Sequence, residues 1–201
     1  MNRRPTEQAG MPAARVVEIE LLALDLTTCT RCVGTLENIE KAVGLVRPVL
    51  EATGASVNLT RRVITSEDQA RQHRFVSSPT VRIDGRDIVF ENLESKCDSC
   101  TDLCGCDDGT SCRVWPYQGQ EFTEAPVGLV VESLLRAFSG ESEAAGIAAG
   151  SGDVPENLRR FFEGRKAAAA CCTPAEQETC CVPNEKSGCC DSAAPVACGC
   201  R

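Results

Sequence analysis

Residues 16–54 read VVEIELLALDLTTCTRCVGTLENIEKAVGLVRPVLEATG. The first nine, 16–24, mix apolar–polar alternation with an apolar run, which suits a buried strand. From Val33 onward Val33, Leu36, Ile39, Val43, Val46 and Leu50 recur at helical spacing. Pro48 is expected to kink this helix or end its regular part, and Gly54 is placed to close it. Between strand and helix stands Cys29-Thr30-Arg31-Cys32. A cysteine at a helix N-terminus meets the positive end of the dipole and unpaired N–H groups, and both favour thiolate. On that placement Cys29 is an exposed nucleophilic thiol and Cys32, one turn further in, the resolving one. The other use of such a pair is as half of a zinc site.

Working outward, ASVNLTRRVIT (55–65) alternates Val57, Leu59, Arg61 and Val63 as a second strand should, and SEDQARQHRF (66–75) opens with a Ser-x-x-Gln capping pattern. SSPTVRIDGRDIVF (77–90) gives β segments at 80–83 and 87–90 joined by Asp84-Gly85, a hairpin signal. In APVGLVVESLLRAFSG (125–140), Pro126 precedes a helix whose apolar face is Val127, Val130, Val131, Leu134, Leu135 and Phe138. The order β-α-β-α-β-β-α predicts an α/β sandwich with a mixed sheet over 15–139, interrupted by a cysteine-rich loop insert at about 91–125. Residues 1–14 read as a flexible N-terminus and 140–152 as a linker. The stretch 153–164 reads as a short helix with Asp153 as N-cap, Pro155 in the first turn, and Leu158, Phe161 and Phe162 on one side, needing a surface to dock on. Residues 165–201 hold too little apolar content to fold alone and read as a disordered tail.

The chain has 201 residues, 42% of them hydrophobic, and a formal charge of −8. That acidic balance argues against a nucleic-acid or anionic-membrane binder, because phosphate binding needs clustered Lys and Arg. No signal-like apolar stretch opens the chain and no run approaches the roughly 18–20 residues of a membrane span. A cytoplasmic setting is therefore expected, where thiols stay reduced and the fifteen cysteines point to metal binding or redox chemistry.

The insert CDSCTDLCGCDDGTSC holds Cys97, Cys100, Cys104, Cys106 and Cys112. Four thiolates so close in sequence can surround a tetrahedral ion such as zinc. An iron–sulfur cluster needs the same ligands, though these spacings match neither ferredoxin pattern, and a disulfide-stapled loop is the third use. Trp115 and Tyr117, the only Trp and Tyr, are expected to pack the insert onto the domain, and the single histidine, His73, reads as a surface helix residue. The tail repeats a vicinal pair every nine residues, Cys171–Cys172, Cys180–Cys181 and Cys189–Cys190, and ends in Cys198 and Cys200. Adjacent thiols bridge each other poorly but offer two soft donors to one ion, selecting Cu(I), Zn²⁺, Cd²⁺, Hg²⁺ or As(III).

The succession strand, Cys29-Thr30-Arg31-Cys32, helix, strand, helix, then Ser78-Pro79-Thr80 before a hairpin resembles the thioredoxin fold. The resemblance implies that Pro79 is cis and faces the redox pair, and that Ser78 presents its backbone to a bound partner. The Trp-Cys-Gly-Pro-Cys signature of thioredoxin itself is absent. With its insert and CRVWPYQGQEF the core resembles a bacterial thioredoxin-like family of unassigned role. The tail is similar in kind to the vicinal-cysteine arsenic metallochaperones, which pass As(III) to an efflux ATPase. Two functions follow as expectations. One is binding and transfer of a soft heavy metal or metalloid such as As(III) or Hg(II), in metal or arsenic resistance, with an efflux pump, reductase or other thiol protein as partner. The other is a thiol-disulfide oxidoreductase or thiol-dependent reductase using Cys29 and Cys32. A zinc-stabilised interaction domain with an inert Cys-x-x-Cys is the blandest use, and no nucleotide cofactor is expected.

Overall fold

The computed structural model describes residues 15–106, 109–140 and 153–169, with backbone alone at 168 and 169. The eight tail cysteines, the N-terminus 1–14 and nearly all of the linker lie outside these residues. The elements are β1 (Val16–Ala23), α1 (Thr30–Ala52), β2 (Ser56–Val63), α2 (Glu67–Gln72), β3 (Thr80–Ile83), β4 (Arg86–Asp87), β5 (Leu93–Lys96), α3 (Asp98–Cys104), β6 (Ser111–Tyr117), β7 (Gln120–Phe122), α4 (Val127–Ser139) and α5 (Glu156–Ala169). The fold is mixed α/β. A four-stranded sheet runs β2-β1-β3-β4, with β1 parallel to β2 and the other neighbours antiparallel.

β1 explains why its sequence begins as alternation and ends as a run. Val17, Ile19 and Leu21 enter one core with Ile39, Val43, Val46 and Leu50 of α1 and Leu129, Val130 and Leu134 of α4. Leu22, Ala23 and Leu24 enter a second core with Ile64, Phe75 and the cysteines. Alternation thus holds where one sheet face is covered, and continuous apolarity where the strand reaches a second buried environment.

α1 starts at Cys29, which is its N-cap and contributes no side-chain cap. The Asp25 carboxylate instead fixes the turn leading into the helix, accepting from the backbone N–H groups of Thr27 (2.9 Å), Thr28 (2.6 Å) and Cys29 (2.9 Å). The helix runs on past Pro48 to Ala52, so the proline does not end it. At its close the Gly54 N–H bonds Glu51 O and the Ala55 N–H bonds Leu50 O, with Gly54 at φ +78°, the paired closure that a left-handed glycine allows. In α2, Ser66 accepts from the Gln69 N–H as its motif predicts, but the Gln69 side chain reaches back to Thr65 N rather than Ser66 N.

Three readings need correction. The second hairpin strand is Arg86–Asp87, not 87–90: Asp87 turns its carboxylate to the buried Arg113, and Phe90 is exposed. The insert is not a loop. It forms a second antiparallel sheet, β5-β6-β7, with α3 between its first two strands, and its Trp115 joins the main core. Finally, Pro155, not Asp153, opens α5, its carbonyl accepting from Leu158 and Arg159 N–H; the helix continues to Ala169, five residues into the stretch assigned to the tail.

A candidate thiolate metal centre

Cys29, Cys97, Cys100 and Cys112 converge from three places: the head of α1, the start of α3 and the first residues of β6. Their Sγ atoms all lie within 4.8 Å of one another and all four residues are buried. Cys100 Sγ is 3.5 Å from Cys29 Sγ and 3.3 Å from Cys112 Sγ. A tetrahedral ion with metal–sulfur bonds of about 2.3 Å sets its sulfurs roughly 3.8 Å apart. The cluster is within a small adjustment of that spacing, and four cysteines so placed could hold a metal ion such as zinc.

The protonation pattern follows from the same crowding. Cys29 is driven far below the usual thiol range by hydrogen bonds from Cys100, Cys112, Cys32 and Cys97, against the opposing effect of burial. Cys97 falls to about 7 because Cys100 and Cys112 donate to it. Cys112 moves up, as donor to Cys100, Cys29 and Cys97. Cys100 also moves up: Cys112 donates to it, but its own donation to Cys29 and Cys97, with burial, outweighs that. The crowding thus favours thiolate at the helix N-terminus, hydrogen-bonded by its neighbours' S–H groups, and a bound cation would replace those protons.

The two residues between Cys29 and Cys32 hold the insert in place. Arg31 Nη1 donates to Ser95 Oγ (2.9 Å), Ser95 O (3.3 Å) and Cys112 O (3.4 Å), and Nη2 donates to Lys96 O, the residue before Cys97. Thr30 Oγ1 lies 3.3 Å from Ser99 Oγ on α3. The Arg31 fork therefore ties α1 to both insert segments that carry ligands.

Cys32 stands apart from the quartet. It is buried, its Sγ lies 3.4 Å from Ser78 Oγ, and the Cys29 thiolate together with burial pushes its pKa up. The Ser78–Pro79 bond is cis. Ser78 Oγ also accepts from the Leu24 N–H (3.0 Å), and Ser78 O accepts from the Arg113 N–H of β6 (2.7 Å). The backbone that was expected to greet a partner chain is already bonded to the protein's own β6.

α5 covers the far side. Its Leu158, Phe161 and Phe162, with Val154, join the buried cluster that contains Cys29, Cys32, Cys97, Cys100, Cys104 and Cys112. Asn157 pairs with the β6 edge, Oδ1 accepting from Ser111 N (3.0 Å) and Nδ2 donating to Ser111 O (2.7 Å). Gly164 lets the helix approach α3, since a Cβ there would sit 2.4 Å from Cys104 O.

Two site expectations change. Cys29 is fully buried rather than exposed, because the insert closes over it. The four clustered cysteines do not come from the insert alone: Cys29 completes the set, while Cys104 and Cys106 are joined by a disulfide. No spacing rule ties residue 29 to residues 97–112; the signal that could have found the set is a Cys-x-x-Cys and a cysteine-rich insert in one chain. Pro79 lies beside Cys32 through Ser78, and the tail cysteines fall outside the described residues. No curated protein and no solved structure matches the chain. Residues 16–134, which carry all four clustered cysteines, match the domain of unknown function DUF2703, and the chain belongs to that family.

Proposed function

We propose that this protein binds and transfers a soft metal or metalloid ion, with Cys29, Cys97, Cys100 and Cys112 as its holding site and the tail pairs as capture ligands. The observation that carries the reading is the convergence of four buried sulfurs from three separate elements. Thiolates select soft or borderline ions, and a closed four-sulfur set favours a tetrahedral divalent ion such as Zn²⁺, Cd²⁺ or Hg²⁺. The tail's vicinal pairs are suited to As(III), a thiophilic ion, and the protein would act in the cytoplasm in metal or arsenic resistance. A thioredoxin-like framework is part of the proposal: the order β2-β1-β3-β4, with the Cys-x-x-Cys at the head of α1 facing Ser78-Pro79, supports it.

The second reading is a thiol-disulfide oxidoreductase, in which Cys29 attacks and Cys32 resolves. Its support is the low Cys29 pKa beside a protonated Cys32. Against it stand the burial of Cys29 and the engagement of Arg31 and Ser78 O with the insert.

The test uses the full-length chain in which Cys171, Cys172, Cys180, Cys181, Cys189, Cys190, Cys198 and Cys200 are serine. One Cd²⁺ or Zn²⁺ per chain with a tetrathiolate absorption signature, lost in Cys112→Ser, is the expected result. Absence of binding in the parent, with turnover of a model disulfide that Cys29→Ser abolishes, would transfer the function to the second reading. Ion uptake by wild-type chain above that of the tail variant, followed by movement of ion from tail to domain, tests transfer.

A further inference from the structure

We propose that Cys104 and Cys106 form a thiol–disulfide exchange site, distinct from the quartet, that takes two electrons from a dithiol reductant. The inference goes beyond metal handling and does not require the quartet to hold an ion. Among the described residues these two cysteines are bonded to each other, while Cys29, Cys32, Cys97, Cys100 and Cys112 are free thiols. Gly105 between them is at φ +61°, the left-handed turn that ends α3 and brings the two side chains together.

The two sulfurs are not equivalent. Cys104 is 2% exposed and belongs to the apolar cluster, whereas Cys106 is partly exposed and packs at its margin. A reductant can therefore reach Cys106 Sγ, and Cys104 Sγ must leave. The leaving sulfur has a prepared donor: Thr110 Oγ1 lies 3.2 Å from Cys104 Sγ. Thr110 is itself fixed, its N–H donating to Thr101 Oγ1 (2.9 Å) and its carbonyl accepting from Cys97 N (2.7 Å). A better-stabilised leaving thiolate speeds such exchange.

The step balances as follows. A thiolate of the dithiol attacks Cys106 Sγ, forming a mixed disulfide as the Cys104–Cys106 bond breaks and Cys104 departs as thiolate toward Thr110 Oγ1–H. The reductant's second thiol loses its proton and attacks the reductant's own bridged sulfur, expelling Cys106 thiolate. Both protein thiolates end protonated, and the dithiol ends as its disulfide. The site also borders α5: Cys106 Sγ is 3.6 Å from Arg160 O, and the Gly164 backbone runs against both cysteines. A change at this pair is thus felt by the helix that covers the quartet.

The test equilibrates the full chain in dithiothreitol buffers of graded reduced-to-oxidised ratio, quenches in acid, alkylates, and fragments the tryptic peptide 97–113. Cys104 and Cys106 should titrate together and reversibly, while Cys97, Cys100 and Cys112 stay alkylated as thiols throughout. Thr110→Val should slow reduction about tenfold, the scale of a lost hydrogen bond to a charged sulfur, and Thr110→Ser should restore the rate. As a check independent of Thr110, Cys106 in Cys104→Ser should react with a disulfide reagent faster than Cys104 in Cys106→Ser. A bridge absent at every ratio, a bridge from Cys104 to another cysteine, a wild-type rate in Thr110→Val, or the reverse reactivity order would overturn the proposal.

Discussion

Replacing Arg31 by alanine should weaken metal binding without unfolding the domain, and the size of the effect can be worked from its contacts. The guanidinium reaches four acceptors: Ser95 Oγ, Ser95 O, Lys96 O and Cys112 O. Hydrogen bonds from a charged donor are worth about 1.5–3 kcal/mol each when buried, but this side chain is only partly buried and water competes. Discounting to about 0.5–0.7 kcal/mol per bond gives roughly 2–3 kcal/mol for the fork. That energy seats Cys97 and Cys112 beside Cys29 before any ion arrives. If the seated fraction falls accordingly, the apparent dissociation constant rises about 30–100-fold, at 1.4 kcal/mol per decade.

The assay is competition of Co²⁺ or Zn²⁺ against a chelator in the full-length chain with tail cysteines replaced by serine. Far-UV circular dichroism serves as the control for folding. Arg31→Lys separates two causes. If the fork's geometry matters, lysine, a compact ammonium that cannot bridge four acceptors, recovers only part of the affinity. If only positive charge near thiolates matters, lysine recovers all of it. An affinity for Arg31→Ala within about twofold of the parent would refute the clamp, since that is well below the loss expected from four charged-donor bonds.

Three further outcomes are expected. Cys29→Ser should abolish tetrathiolate binding in that same background while Cys32→Ser keeps one ion per chain, because only Cys29 lies in the quartet; absorption titration reads both. Leu158→Ala, at a fully buried position of α5, should cost about 2–5 kcal/mol of helix docking, seen as faster labelling of the quartet thiols by an aromatic disulfide reagent. Asp25→Ala should destabilise the domain by about 1 kcal/mol by releasing the turn that leads into α1. Burial raises the Asp25 pKa, but hydrogen bonds from Cys29, Thr28 and Thr27 outweigh it and bring it from 3.8 to about 2. Because the folded value is depressed, this contribution is present above the unfolded pKa and fades as pH falls from about 4 toward 2; denaturation of wild type and variant should converge there.

How much of this could be read in the chain depends on the range over which each signal acts. β1, α1, β2 and α2 were legible because alternation, helical spacing, a Ser-x-x-Gln cap and Gly54 are local signals that the fold keeps. α1 could not be bounded from Pro48 alone, since tertiary packing of Val46 and Leu50 in the core holds the helix beyond it. The second sheet was missed for a different reason. β5 (LESK) and β7 (QEF) are too short to show alternation, and β5 pairs with β6 across α3, so the pairing leaves no local pattern. The clustered residues could be guessed as cysteines, but their membership depended on the approach of residues 29 and 112, which sequence spacing cannot encode.

That contact changes what a Cys-x-x-Cys means. In an open site, a thiolate at a helix N-terminus and a facing backbone carbonyl are offered to an incoming chain. Here β6 has taken the carbonyl of Ser78, Cys100 and Cys112 have taken the thiolate of Cys29, and Arg31, placed between the two cysteines, locks the arrangement. The features that would recruit an external substrate instead close an internal ligand set. Disulfide exchange at Cys29 with an external chain would have to displace the insert first, whereas a bound ion would take the place of the quartet's protons. The described thiols therefore divide by geometry: a quartet that could hold an ion, Cys32 set apart against Ser78, and a bonded pair at the seam with α5.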